Sequence, residues 1–192
     1  MKEIILASAS PRRLEVLRQC GIEPRVIKSN TKERIQFYEK PEQISMSLSF
    51  KKALDVSKRI NTGLVLGADT IVVIGDTILG KPDSKLHARQ MLKTLSGKSH
   101  KVITGFAIID LENGIKLVDY ETSEVLFNRL TIKEIDSYIN TGEYLDKAGS
   151  YAIQGKGAIL VSKINGCYFN IVGLPISKIN QCLNLYFNYN LF

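Results

Sequence analysis

Apolar residues follow two different spacings along this 192-residue chain, and the alternation of these spacings predicts its strands and helices. Short apolar runs rich in β-branched residues predict buried strands, whereas apolar residues three or four positions apart predict helices. The predicted strands are Lys2–Ser8, Pro24–Ser29, Leu64–Ile74, Thr77–Leu79, Ser99–Asp110, Lys116–Phe127 and Ala158–Ile164. The predicted helices begin at Pro11, Pro41, Lys85, after Thr131 and at Ile176, and they end near Gly21, Arg59, Leu95, Gly142 and Phe187.

The order of these elements predicts the class of fold. Strands and helices interleave, which favours a sheet flanked by helices, but Asn113-Gly114 is a strong hairpin signal between two long strands. We therefore expect a mixed α/β fold with a partly antiparallel sheet, in a single domain over residues 1–192.

A long helix is predicted from Pro41 to Arg59. We expect its apolar face to include Met46, Phe50, Ala53 and Leu54. Lys51 and Lys52 interrupt this face, and one of the two lysines could reach a functional site.

Asp69 stands inside the most apolar predicted strand. A carboxylate there is costly to bury unless it is paired or binds a cation. Gly67 and Ala68 before it leave room for a ligand. Lys81 follows after the turn Gly75-Asp76 and the short predicted strand Thr77–Leu79. The pattern indicates the centre of a site around Asp69 and Lys81; the alternative is an Asp at a strand end that faces solvent.

The segment from Ser8 to Arg13 resembles a phosphate cradle. Ser10 suits an N-cap and Pro11 suits the first helical position. Arg12 and Arg13 add positive charge to a helix terminus that is already partly positive, and this favours a bound anion. The alternative is a pair of solvated surface arginines.

Charge and cysteines change this picture little. The formal charge of +7 favours anionic partners, although a chain rich in Lys, Ile and Asn carries such a charge without a special role. The three cysteines, Cys20, Cys167 and Cys182, are too far apart to suggest a zinc site or a disulfide framework, and we expect buried, reduced thiols. No signal peptide or membrane-spanning run is apparent, so a cytoplasmic protein without membrane contact is expected.

Six short motifs occur in order along nearly the whole chain. They are Ser8-x-Ser10-Pro11-Arg12-Arg13, Gly67-Ala68-Asp69-Thr70, Gly80-Lys81-Pro82, Ser96-Gly97-x-x-His100-x-Val102-x-Thr104-Gly105, Asp146-Lys147-Ala148-Gly149-x-Tyr151-x-Ile153-Gln154-Gly155 and Gly173-Leu174-Pro175. Together they resemble the Maf family of nucleoside triphosphate pyrophosphatases.

The resemblance implies an enzyme that splits a nucleoside triphosphate between its α- and β-phosphates and uses Mg²⁺ or Mn²⁺. It also implies a fold similar to inosine triphosphate pyrophosphatases, with two lobes and a cleft, and a homodimer. The family was first linked to arrest of septum formation. Two departures affect local loops: Tyr144 follows Glu143 where the family usually has Pro, and Lys32 stands beside Glu33 where another acid is common.

The resemblance also assigns individual residues. Asp69 matches the proton acceptor of the family. The positions on the phosphate or metal side are Ser8, Arg12, Lys52 and Lys81. The positions tied to base choice are Arg13, Thr70 and Gln154. Thr70 with Gln154 resembles the subgroup that acts on dTTP and UTP.

A metal is also expected from the chemistry of hydrolysis. An ordinary Asp, with a pKa near ~4, is a poor base for water, whose pKa is ~15.7. A bound Mg²⁺ or Mn²⁺ would lower the pKa of that water and hold phosphate oxygens. Asp69 is then a base, a metal ligand or both, and Glu33 is the expected second oxygen ligand.

Three further functions are alternatives to this one. A nucleic-acid-binding module would use Arg12, Arg13 and the lysines, but the sequence has no aromatic platform or helix-turn-helix, so nucleic acid is not the expected partner. The second is a pyrophosphatase of the sister subgroup that acts on 7-methylated GTP. The third is a regulator of septum formation without enzymatic activity.

Overall fold

The computed structural model describes residues 2–31 and 40–192, and its elements follow the predicted order closely. The strands are β1 (Ile4–Leu6), β2 (Arg25–Val26), β3 (Leu64–Ile74), β4 (Thr77–Leu79), β5 (Ser99–Asp110), β6 (Lys116–Phe127) and β7 (Val161–Asn165). The helices are α1 (Pro11–Gln19), α2 (Pro41–Ser57), α3 (Lys85–Leu95), α4 (Ile132–Asn140), α5 (Tyr168–Val172) and α6 (Ile176–Phe187). Two 3₁₀ helices, Ala148–Ser150 and Gly155–Leu160, precede β7.

These strands form one mixed sheet in the order β2-β1-β3-β5-β6-β7, with β4 paired to β3. The pairs β1–β2 and β1–β3 are parallel, whereas β3–β4 and β6–β7 are antiparallel. The short connection 111–115 between β5 and β6 allows only an antiparallel pair, and Gly114 in it has a φ of 69°. The predicted mixed α/β sheet and its hairpin are therefore confirmed.

The chain divides into two compact units. One unit, called unit 1 here, comprises Met1–Asp69, Thr104–Glu121 and Gly173–Phe192. The other, unit 2, comprises Thr70–Ile103 and Thr122–Val172. The chain passes from one unit to the other within β3, within β5, within β6 and directly after α5. A single domain over residues 1–192 and a cleft stay predictions.

The core of unit 1 consists of small and β-branched side chains. Strands β1, β3 and β5, helix α2 and the residue that follows β1 contribute to it, and the buried side chains are Ile5, Ala7, Ala53, Val56, Val65, Ala107 and Ile109. Helix α2 buries Ile44, Ser45, Leu48, Ser49, Ala53 and Val56. Of the expected face only Ala53 is fully buried, since Met46, Phe50 and Leu54 are half-buried at its margin.

The core of unit 2 contains an aromatic group that the sequence did not predict. His100 of β5, Phe127 of β6 and Tyr151 meet edge to face, with ring centroids 4.7–5.4 Å apart. The Nε2 atom of His100 and the hydroxyl of Tyr151 are 2.7 Å apart and hydrogen-bonded. Burial lowers the pKa of His100 to about 4, so the ring is neutral at neutral pH.

Three predicted strands differ from the structure. Lys2–Ser8 contributes only Ile4–Leu6 to the sheet. Pro24–Ser29 contributes only Arg25–Val26, since β2 lies at the sheet edge and pairs with β1 alone. In the predicted strand Ala158–Ile164, the first part belongs to the 3₁₀ helix Gly155–Leu160, and β7 begins at Val161. A short apolar run fits a buried helical turn as well as a strand, which explains the error. Helix α5 was not predicted.

The three cysteines differ in their exposure. Cys182 is buried and Cys167 half-buried, as free thiols, but Cys20 is exposed, so the expectation of buried cysteines is wrong there. Cys20 directly follows the last turn of α1 and lies outside its buried face. In the ranges 2–31 and 40–192, no helix combines the length and apolar character that crossing a bilayer requires.

Candidate active site

The turn that leads into helix α1 is organised by Ser8. Helix α1 begins at Pro11, with Ser10 at the N-cap position, as predicted. The Ser10 side chain makes no cap hydrogen bond; its backbone amide instead donates to the Oγ atom of Ser8 over 3.1 Å. Because the buried Ser8 hydroxyl fixes the turn, it positions the first helical residues.

Arg13 is buried, and the alternative of two solvated arginines is wrong for it. Its Nε atom donates to the carbonyl oxygen of Gly173 over 2.8 Å, and its Nη1 atom donates to Ser8 Oγ over 3.1 Å. Arg12 is half-buried, and the first turn of α1 contains no acidic residue that would balance the two charges. The arrangement fits an anion at this turn, whereas the role of Arg13 in base choice stays a prediction.

Asp69 lies in the middle of β3 and is paired, so the alternative of a solvent-facing strand end is wrong. Only 6% of the residue is exposed. The Lys52 ammonium of α2 donates to its Oδ1 atom over 2.5 Å, and the two side chains are 12% and 9% exposed. The pairing provides the positive partner that a buried carboxylate requires. Of the two lysines considered, Lys52 is the one that reaches the site.

This ion pair depends on a close approach between α2 and the sheet. A Cβ atom at Gly67 would collide with the carbonyl oxygen of Ser49 and would lie 2.9 Å from the amide nitrogen of Ala53. A Cβ atom at Gly105 of β5 would collide with the backbone of Ser45. Glycines at these two points therefore let helix α2 lie directly on the strand that carries Asp69.

Unit 2 carries three further predicted site residues. Thr70 follows Asp69 in β3 and is half-buried, Lys81 is exposed just after β4, and Gln154 is half-buried. The amide of Gly149 donates to the carbonyl oxygen of Gly80 over 3.1 Å. The loop that leads to Gln154 is thus hydrogen-bonded to the residue before Lys81.

The same loop has an unusual backbone. Asp146 and Ser150 have φ values of 58° and 63°, which L-residues rarely adopt, and Gly149 and Gly155 are also in the left-handed region. Such strain persists where surrounding contacts over-determine it, and it is common at functional sites. Here the buried Ser150 hydroxyl donates to the Sδ atom of Met91 over 3.0 Å.

The family model for Maf-like proteins matches residues 3–186 of the chain. This protein belongs to the Maf family. Its Alkaliphilus oremlandii (strain OhILAs) relative, a dTTP/UTP pyrophosphatase, is 50% identical over 192 residues, which is all of both chains. A dTTP/UTP pyrophosphatase of Clostridioides difficile (strain 630) is 49% identical over 189 residues, 98% of this chain and 97% of that one. A Bacillus anthracis protein of the same name is 50% identical over 179 residues, 93% of each chain.

A divalent metal fits this Maf-family chain only in a limited way. The part of the chain that the structure describes contains no group of three His, Cys, Asp or Glu side chains able to hold a metal ion. Asp69 supplies one carboxylate, and Mg²⁺ is commonly bound by one or two carboxylates together with substrate phosphates and water. Glu33, the expected second ligand, lies outside the described residues. Among the described site residues, Asp69 is thus the one that offers a carboxylate to a metal ion.

Sequence reasoning missed one residue that supports this Maf-family site. The carboxylate of Glu143, in the turn after α4, accepts hydrogen bonds from the amides of Lys156 and Gly157, just beyond Gln154. Glu143 was noted only for the unusual Tyr144 that follows it. The signal in the sequence was the glycine-rich segment Gly155-Lys156-Gly157, because the backbone amides at the start of a helical turn can be bound by a carboxylate from elsewhere in the chain.

Proposed function

We propose that this protein is a nucleoside triphosphate pyrophosphatase that hydrolyses dTTP and UTP to the monophosphate and pyrophosphate. The observation that carries the proposal is the extent of similarity: relatives of that name are about half identical to it from end to end. The ion pair of Asp69 with Lys52 and the two arginines at the start of α1 support the proposal.

The reaction breaks one phosphoanhydride bond and consumes one water molecule. Asp69 accepts a proton from the attacking water, and Lys52 orients the carboxylate through its hydrogen bond. Arg12 and Lys81 neutralise charge on the phosphates, the main requirement of phosphoryl transfer. Ser8 holds the start of α1 in place. The backbone amides of this first helical turn then bind the phosphate groups of the nucleotide.

A divalent cation is part of this proposal. When bound, Mg²⁺ or Mn²⁺ would lower the pKa of water and hold phosphate oxygens. Asp69, and Glu33 as the sequence suggests, would be its protein ligands. Purified protein treated with a chelator should lose turnover and regain it when either metal is added back.

Base choice is proposed to rest on Gln154, and the resemblance to the family ties Thr70 and Arg13 to it as well. Uracil and thymine present an N3–H donor beside an O4 acceptor, and one Gln amide can satisfy both groups. A guanine edge presents two donors and leaves the amide NH₂ opposite a donor. An unmade bond in a buried site costs about 1–3 kcal/mol, so the mismatched guanine is disfavoured against uracil and thymine by about 10–100-fold.

The decisive experiment is a panel of nucleoside triphosphates with Mg²⁺ or Mn²⁺. The panel should contain dTTP, UTP, CTP, ATP, GTP and 7-methyl-GTP, with pyrophosphate and orthophosphate measured separately. We expect pyrophosphate from dTTP and UTP, with little effect of the 2′-hydroxyl. Orthophosphate as the product, equal rates on all bases, or a preference for 7-methyl-GTP would contradict the proposal.

A homodimer and a cytoplasmic location complete the proposal, and both rest on the resemblance to the family. Sedimentation of the purified protein tests the first, and a sedimentation coefficient of a monomer would contradict it. Cell fractionation tests the second.

A further inference from the structure

Gln154 occupies a position at which the side chain of the residue normally caps the helix that follows. It is the N-cap residue of the 3₁₀ helix Gly155–Leu160, with extended φ and ψ values of −91° and 167°. An N-cap side chain usually accepts a hydrogen bond from the second or third amide of its helix. The Gln154 side chain makes no such bond.

Glu143 supplies the missing cap from another part of the chain. Its Oε1 atom accepts from the amide of Lys156 and its Oε2 atom from the amide of Gly157, each over 3.2 Å. These are the second and third residues of the helix. Glu143 itself is held in place because its own amide donates to Thr141 Oγ1 over 3.1 Å.

The segment is fixed on the other side of Gln154 as well. The amide of Ala152 donates to the hydroxyl of the buried Tyr138 over 3.2 Å. Between these two anchors, Gly155 has a φ of 64°, and a Cβ atom there would lie 3.0 Å from Glu143 Oε2. The backbone around Gln154 is therefore bonded to α4 and to the turn after it, while the Gln154 side chain makes no cap hydrogen bond to its own helix.

We propose that Glu143 is a positioning residue for base selection, which caps the helix in place of Gln154 and so keeps the Gln154 amide available to the nucleotide base. This inference rests on the proposed function. Without the Glu143 carboxylate, the amides of Lys156 and Gly157 lose their acceptor. Gln154 holds the N-cap position from which a side chain can replace that acceptor, and a Gln154 side chain that caps its own helix cannot hydrogen-bond a base.

The first test is the Glu143→Gln variant of the full chain. Its amide keeps the shape but offers one acceptor oxygen instead of two. We expect the ratio of kcat/KM for UTP to kcat/KM for GTP to fall about tenfold, while the rate on GTP stays nearly unchanged. The matched control is Glu134→Gln, since Glu134 is another capping carboxylate of unit 2, bonded to Thr131 over 2.7 Å. It should leave the ratio unchanged.

The second test is a double-mutant cycle with Gln154→Ala. If Glu143 acts through Gln154, adding Glu143→Gln to Gln154→Ala should not change the selectivity further. Hydrogen exchange of the Lys156 and Gly157 amides should be faster in every Glu143 variant. If Glu143→Gln does not fold, Glu143→Asp keeps the charge but is too short to reach both amides.

Three results would overturn the inference: an unchanged UTP-to-GTP ratio, an equal loss on all nucleotides, or effects of the two substitutions that multiply. If the wild-type enzyme prefers pyrimidines but Glu143→Gln has the same UTP-to-GTP ratio as the control Glu134→Gln, this inference alone is wrong. A wild-type protein without that preference removes the proposed function, and the inference with it.

Discussion

Substitution of Gly67 by alanine should disturb the fold and the candidate active site together. The new Cβ atom would collide with the carbonyl oxygen of Ser49 and would lie 2.9 and 3.0 Å from the amide nitrogen and Cβ atom of Ala53. Two of these three atoms belong to the backbone of α2, so no rotation of a side chain relieves the contact. Helix α2 must move away from β3.

The size of the effect follows from this geometry. Overpacking costs about 1–3 kcal/mol, and contacts with a helix backbone place Gly67→Ala at the upper end. For a protein of this length, about 3 kcal/mol corresponds to a melting temperature lower by roughly 6–12 °C. The same movement draws Lys52 away from Asp69, and a displacement of about 1 Å in an active site can lower turnover ~10²-fold.

Thermal unfolding and dTTP turnover measure the two effects. Gly80→Ala is the stability control, because no heavy atom lies within 4 Å of a Cβ atom at Gly80. The added substitution Ala53→Gly should not restore Gly67→Ala, since the Ser49 carbonyl oxygen remains. A Gly67→Ala protein with the melting temperature and turnover of the wild type, or a rescue by Ala53→Gly, would refute the argument.

Four other predictions concern the site and the core. Asp69→Asn should lower turnover ~10²–10⁴-fold, with unfolding close to wild type because the amide oxygen still accepts from the lysine; retention of a tenth of the turnover would contradict its role. Arg12→Ala and Lys81→Ala should weaken hydrolysis of every nucleotide alike, and a loss confined to one base would exclude them from the phosphate site. Gln154→Glu should depress pyrimidine turnover and shift preference toward 7-methyl-GTP, which the nucleotide panel measures. Burial lowers the pKa of His100 to about 4, against 6.5 in the unfolded chain, so between these pH values the unfolded state binds one more proton than the folded state. The free energy of unfolding should therefore fall by about 1.4 kcal/mol per pH unit as the pH decreases through that range. Denaturant titrations of His100→Phe should no longer show this slope.

The elements that were correct in the sequence analysis have local causes. The start of α1 follows from Pro11, and the start of α4 from the capping box in which Thr131 and Glu134 bond each other's amides. The turn at Asn113-Gly114 requires a residue that accepts a positive φ, as Gly114 does. Such features lie within a few residues and need no knowledge of the rest of the fold.

The parts that were missed depend on distant residues. Glu143 caps a helix that begins 12 residues later, so the run from Ala158 to Leu160 became helical although its own composition also suits a strand. Lys51 and Lys52 cannot be told apart as neighbours in a sequence. Only the rotation of α2 on the sheet directs Lys52 toward Asp69 and leaves Lys51 exposed.

Helix α2 shows why an apolar pattern identified its buried face incompletely. The face that lies on the sheet includes Ser45 and Ser49, four residues apart, and both are fully buried. Their hydroxyls donate to carbonyl oxygens of their own helix over 2.9 and 2.8 Å, so burial leaves no polar group unsatisfied. Larger apolar residues here would bury more surface, but they would hold the helix away from Gly67 and Gly105. The small residues bury less apolar surface, but they allow a short distance between the backbones of α2 and the sheet. This short distance brings Lys52 of α2 within hydrogen-bonding reach of Asp69 in β3.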